Sequence, residues 1–133
     1  MVYKTIMLAE DDPIVRGMYE GILDRGGYVP LTATTGSECL ALLANKKPKA
    51  IILDVNMPDL NGIETCKRLR TQAKYKGPII FLTGADDIET VRSCLAAGGD
   101  DYILKTAQPN EFLRRVNRWV EGDLDALRNR DGN

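Results

Sequence analysis

The stretch that decides the fold is Ala50-Ile51-Ile52-Leu53-Asp54-Val55-Asn56-Met57-Pro58-Asp59: four apolar residues, one carboxylate, then a turn. Ala50–Leu53 is too short for a helix and apolar at every position, the pattern of a strand covered on both faces. The same grammar recurs on either side of it. Lys4–Ala9 runs into Glu10-Asp11-Asp12, Pro78–Leu82 into Thr83, and Asp101–Leu104 into Lys105. Val29–Thr34 is a fifth β-rich piece. A polar residue therefore stands where each of four short apolar runs stops.

Helical patterns fill the intervals. Asp12 and Pro13 supply an N-cap and a favoured first helical residue, and the helix they open runs toward a stop at Gly26-Gly27. Gly36–Asn45 reads as a helix with Leu40, Leu42 and Leu43 facing inward, ended by Lys46-Lys47-Pro48. Asn61-Gly62 leads a helix to about Ala73, Asp87 caps one that ends at Gly98-Gly99, and Pro109 opens one that reaches Glu121. In that last helix Phe112, Leu113, Val116 and Trp119 form an apolar stripe; Leu113 and Val116 are assigned to the core and Trp119 is left for a partner contact. Gly122–Asn133 reads as a polar tail, frayed or helical only in part, or as the start of a linker. The alternation gives the fold class: α/β, a doubly wound five-stranded parallel sheet, (βα)5, in a three-layer sandwich. Ligands of such sheets bind outside the carboxyl ends of the strands, where the polar residues stand.

Bulk properties set bounds on function. The 133 residues make one domain, with 44% hydrophobic and 28% charged residues and a net charge of −1. That charge offers no pull toward nucleic acid or a membrane surface. No apolar stretch approaches a membrane span, and Met1-Val2-Tyr3-Lys4-Thr5 lacks the pattern of a signal peptide, so a cytoplasmic location is expected. Cys39, Cys66 and Cys94 are odd in number and widely spaced, which disfavours disulfides and a zinc site. The chain has no histidine, which excludes His-ligated metals and Ser-His hydrolysis.

Parallel neighbouring strands bring Glu10, Asp11, Asp54, Thr83 and Lys105 to one edge. Two carboxylates about 4 Å apart repel by roughly 4 kcal/mol at an effective dielectric near 20. Such a cluster is costly without a ligand. Mg²⁺ answers it, since this ion takes oxygen ligands in six-fold geometry. With a cation present the grouping suits phosphoryl transfer: Asp54 is the candidate nucleophile, and the Thr83 hydroxyl and Lys105 ammonium are donors to the transferred group.

Four segments in this order and spacing, Ile6–Asp12, Ile52–Gly62, Phe81–Gly84 and Asp101–Lys105, resemble the receiver domain of bacterial two-component response regulators, the CheY-like fold of the flavodoxin-like class. The resemblance covers residues 3–121, so the receiver domain is placed at 1–121 and the tail at 122–133. It implies that Asp54 is the phosphoacceptor, charged by a sensor histidine kinase or phosphotransfer protein. It implies a Mg²⁺ site (Mn²⁺ as an alternative ion) made of Glu10, Asp11, Asp54 and the backbone carbonyl of Asn56. Thr83 and Lys105 would hold phosphate oxygens, and Tyr102 would be the switch aromatic. The output face would comprise the fourth helix, fifth strand and fifth helix, contacting a downstream effector, an output domain or a second copy in a homodimer. The chain departs from the family at Thr106, where proline usually follows the lysine, and at Gly84, usually alanine. A non-proline cis bond costs about 2.5–4 kcal/mol, which opens the way to a trans Lys105–Thr106 bond and an altered loop; the sequence leaves cis or trans open.

Two other functions compete. One is a docking module that works without phosphorylation, which the intact Asp54, Thr83 and Lys105 argue against. The other is a small-molecule phosphatase with an aspartyl nucleophile, as in haloacid-dehalogenase-type enzymes. Those carry a second acid two residues after the nucleophile; here that position is Asn56, which has no proton for a leaving group.

Overall fold

The computed structural model describes residues 3–84 and 87–132, with side chains through residue 129. Readings that fall on Met1, Val2 and Asn133 lie outside it. Five parallel strands form one sheet: β1 (Lys4–Ala9), β2 (Tyr28–Ala33), β3 (Ala50–Asp54), β4 (Ile79–Thr83) and β5 (Asp101–Leu104), in the order β2-β1-β3-β4-β5. The helices are α1 (Pro13–Arg25), α2 (Gly36–Leu42), α3 (Gly62–Thr71), α4 (Ile88–Ala96), α5 (Pro109–Glu121) and α6 (Leu124–Gly132). Every residue of β3 and β4 is buried, as apolar strands between two helical layers must be.

The two faces of the sheet bury separate clusters. On one, Ile6, Leu8, Ile52, Ile80 and Leu82 pack against Tyr19, Leu23, Phe112, Val116 and Trp119 of α1 and α5. On the other, Met7, Ile51, Leu53, Ile79 and Phe81 pack against Cys39, Cys66, Leu69 and Cys94 of α2, α3 and α4. Consecutive strand residues feed opposite clusters, as the two-residue period of a strand requires. The three cysteines are buried free thiols. Burial pushes Cys39 up to about 12 and Cys66 and Cys94 up to about 11, so they serve as small apolar side chains.

The helix starts follow their caps. The Asp12 carboxylate accepts from the amides of Ile14 and Val15, Asn61 from Glu64, and Asp87 from Thr90. Gly27 ends the α1 turn at φ +91, a conformation that favours glycine. α2 stops at Leu42 rather than Asn45, because residues 43–45 form turns; Leu40, Leu42 and Leu43 are half-buried against the second cluster.

One expectation needs correction and another is narrowed. Trp119 is not left for a partner: it is 2% exposed, packs under β5, and donates its indole N–H to Asp101 Oδ2 at 3.0 Å. Of the two readings of the tail, frayed or helical only in part, the described residues take the second: Leu124–Gly132 is helical. Asp123 caps α6 through the amide of Ala126, Leu127 is buried in the first cluster, and Arg128 reaches back to Asp100. Among the described residues, α6 is held by Leu127 and Leu124 against the first cluster and by Arg128 on Asp100 and on the Lys76 and Gly77 carbonyls, distant partners that have no local sequence pattern.

Candidate functional site

Right-handed crossovers put the carboxyl ends of β1, β3, β4 and β5 side by side. Glu10 and Asp11 follow β1, Asp54 ends β3, Thr83 ends β4, and Lys105 follows β5. One carboxylate oxygen each from Glu10, Asp11 and Asp54 lies within 4.8 Å of the other two. Glu10 and Asp54 are buried and Asp11 is exposed. The Lys105 ammonium bridges the buried pair, at 3.2 Å from Glu10 Oε1 and 3.1 Å from Asp54 Oδ2. Lys105–Thr106 is trans, as are all described peptide bonds.

Three acids against one ammonium leave a deficit. Burial pushes the Glu10 carboxyl up from 4.5 to about 7; the Asp12 amide opposes this, and the neighbouring Asp54 charge adds to it. Burial alone would pull Lys105 down, but its hydrogen bond and charge contact with Asp54, then those with Glu10, hold it above the ordinary lysine value. Glu10 Oε2 accepts the amide of Asp12 at 3.1 Å. Its Oε1 is buried and accepts no well-directed hydrogen bond, although Lys105 is near. A buried carboxylate oxygen without a well-directed hydrogen bond, beside two further carboxylates, is a donor set for a hard divalent cation such as Mg²⁺, so the residues present fit that ion.

The remaining candidates stand around this centre. The amide of Asn56 donates to Asp54 Oδ1 at 3.2 Å. Thr83 is 2% exposed, and its carbonyl accepts the Lys105 amide at 2.9 Å, tying the two donors together through the backbone. Tyr102 does not join the carboxylates. It pairs in register with Phe81, two residues before Thr83, and packs half-buried against the second cluster. Asp12 is occupied as the α1 cap and contributes nothing to the cation set.

Two residues escaped sequence reasoning. The Arg16 guanidinium donates to the carbonyls of Glu10 (3.0 Å) and Asp11 (3.2 Å). A signal was there: a cation in the first turn of a helix opposes the helix dipole and must be used elsewhere. Gly62 passes so close to β3 that a Cβ would sit 2.2 Å from the Asp54 carbonyl oxygen. Its amide also donates to the Val55 carbonyl at 2.9 Å.

Comparison with known proteins agrees with this geometry. The family model described as response regulator receiver domain matches residues 6–117. PhoP of Bacillus subtilis, the alkaline phosphatase synthesis transcriptional regulatory protein, is 39% identical over 113 residues, 85% of this chain and 47% of PhoP. PhoB of Pseudomonas aeruginosa, the phosphate regulon transcriptional regulatory protein, is 35% identical over 131 residues, 95% of this chain and 57% of PhoB. The chain thus spans about half the length of the curated relatives it matches. Among solved structures, chemotaxis protein CheY4 of Vibrio cholerae superposes with TM-score 0.83 at 31% identity, covering 89% of this chain and 99% of its own. The receiver domain of the sensor histidine kinase PA1611 of P. aeruginosa, with a magnesium ion coordinated in its active site cleft, superposes with TM-score 0.84 at 27% identity, covering 91% and 100%. The chain belongs to the response regulator receiver domain family of two-component signalling proteins.

Proposed function

We propose that Asp54 is the phosphoacceptor of a two-component relay. A carboxylate oxygen of Asp54 attacks the phosphorus of a phosphohistidine on a sensor histidine kinase or phosphotransfer protein. The phosphorus–nitrogen bond breaks, an acyl phosphate forms, and the histidine nitrogen leaves with the bond pair. The observation that carries this reading is the pocket's charge imbalance: three carboxylates gather where one lysine pairs with two of them, and a buried Glu10 oxygen lacks a hydrogen bond.

Glu10, Asp11, Asp54 and the Asn56 carbonyl hold Mg²⁺, or Mn²⁺ in its place. When bound, the ion supplies positive charge opposite the phosphoryl oxygens. Lys105 already pairs with Asp54 and is positioned to follow the charge onto the phosphoryl group, and the Thr83 hydroxyl donates beside it. Tyr102, two register positions below Thr83, is the aromatic that repacks when Thr83 shifts. The face of α4, β5 and α5 carries the output to an effector, an output domain or a second copy. The chain acts as a signalling acceptor in the cytoplasm, with residues 1–121 as the receiver unit and 122–133 as its C-terminal tail or the start of a linker.

The test is chemical. With Mg²⁺ and phosphoramidate the wild type gains the mass of one phosphoryl group, in an acid-stable, base-labile linkage. Asp54→Asn gains none. No adduct on the wild type, or an undiminished one on the variant, overturns the assignment.

A further inference from the structure

We infer that Arg16 is a positioning residue for the acidic site, setting the direction of the Asp11 carboxylate and with it the affinity for the divalent cation. The inference rests on the reading above. A single nitrogen, Arg16 Nη1, donates to the carbonyls of Glu10 and Asp11. Those two carbonyls belong to the peptide units on either side of the Asp11 Cα. Fixing both planes fixes the backbone angles of Asp11, and so the direction of its Cβ.

The other two acids have their own restraints. Glu10 Oε2 is bonded to the Asp12 amide, and Asp54 is held by the Asn56 amide and by Lys105. Asp11 is exposed, and its carboxylate has no hydrogen bond among the described residues. Its aim therefore depends on its backbone alone. Arg16 is itself rigid at its base: its amide donates to the Asp12 carbonyl at 2.8 Å, within the first turn of a helix capped by Asp12. The guanidinium spends its charge on two carbonyls beside a cluster of acids, where a backbone amide or water would otherwise serve. Groups that orient metal ligands without touching the metal typically govern 10–100-fold in affinity.

The experiment is Mg²⁺ titration calorimetry on wild type and Arg16→Ala, with phosphoramidate kinetics run across Mg²⁺ concentration. Expected for Arg16→Ala is a Kd raised roughly tenfold or more. The phosphorylation rate at saturating Mg²⁺ stays near wild type, and the metal-free melting temperature is little changed. Arg16→Lys, which keeps charge and stem but donates from one point, falls between the two. A Kd within about twofold of wild type in a folded variant overturns the inference, as does a rate loss that saturating Mg²⁺ does not repair. If Arg16→Ala does not fold, Arg16→Lys is judged by the same Kd criterion. Failure of the wild type to bind Mg²⁺ or accept phosphate would instead overturn the phosphoacceptor reading.

Discussion

Two carboxylate clusters sit at opposite edges of the same sheet, and they are built on opposite principles. At the amino ends of β4 and β5, Asp100 accepts from Arg70 Nη2 (3.0 Å), Arg128 Nε (2.7 Å) and Nη2 (3.1 Å), and the Ile79 amide (3.0 Å). Beside it Asp101 accepts from Arg115 and Trp119, each at 3.0 Å. At the carboxyl ends, three acids cluster, the one ammonium pairs with only Glu10 and Asp54, and one buried oxygen is left without a hydrogen bond. One edge sets three arginines against Asp100 and Asp101, and each of their carboxylate oxygens accepts at least one hydrogen bond; the other has more acids than cations. The first is a lock that closes α3, α5 and α6 onto the sheet. The second is held together by the rest of the fold against its own electrostatics, which is where a ligand-dependent site is expected.

The contrast breaks most visibly at Asp100. Asp100→Ala strands the Ile79 amide and leaves Arg70 and Arg128 with backbone carbonyls but no counter-charge there, and removing one partner of a buried ion pair costs about 3 kcal/mol or more. Urea denaturation should show that loss, while phosphorylation of Asp54 in the folded protein continues. A loss below about 1 kcal/mol would mean that this edge is no lock. Arg128→Ala should cost only about 1 kcal/mol, because Arg128 is partly exposed, and should increase hydrogen exchange within α6 alone.

Gly62 tests the acidic edge from behind. In Gly62→Ala the new methyl would meet the Asp54 carbonyl oxygen at 2.2 Å, and a strand backbone has no flexible end to swing away. Overpacking of this kind costs roughly 1–3 kcal/mol. The phosphorylation rate at Asp54 should fall as well, since the acceptor strand end must shift. Gly17→Ala is the control: nothing lies within 4 Å of its added Cβ, and alanine in a helix interior should stabilise by about 0.5–1 kcal/mol. Equal effects at the two glycines would remove Gly62 from the site.

How much of this could be read in advance follows from the range of the interactions. The strands, the caps at Asp12 and Asp87, and the convergence of Glu10, Asp11, Asp54 and Lys105 are legible because apolar runs and cap residues are local, and parallel topology does the rest. Ranges drifted by a few residues where turns replaced frayed helix, as at Leu42. What stayed hidden depends on contacts far apart in sequence. Trp119 looks surplus on the α5 stripe until Asp101 supplies an acceptor. α6 looks like a polar tail until Arg128 meets Asp100, 28 residues away. Gly62 looks like an ordinary helix start until β3 runs beneath it. Arg16 was hidden differently: its partners are carbonyls, which have no letter in a sequence.

The smallest effect has the most telling sign. Glu10 in the metal-free protein binds its proton more tightly folded than unfolded, because its carboxyl is raised from 4.5 to about 7. Its contribution to stability is therefore full below about 4.5 and is lost as pH rises to about 7. In chelator, the wild type should become less stable across that window, and Glu10→Gln, neutral throughout, should not share that loss. At pH 8 Glu10→Gln should be the more stable of the two. No neutralising change at Asp100 should stabilise, since that acid is fully paired. Saturating Mg²⁺ should invert the order, stabilising the wild type by about 2.7 kcal/mol at 100 times Kd and the variant by less. Read by thermal melts with and without the ion, that inversion separates an edge built for a ligand from an edge built for the fold. A Glu10→Gln protein destabilised at pH 8 in chelator would place Glu10 with the structural acids.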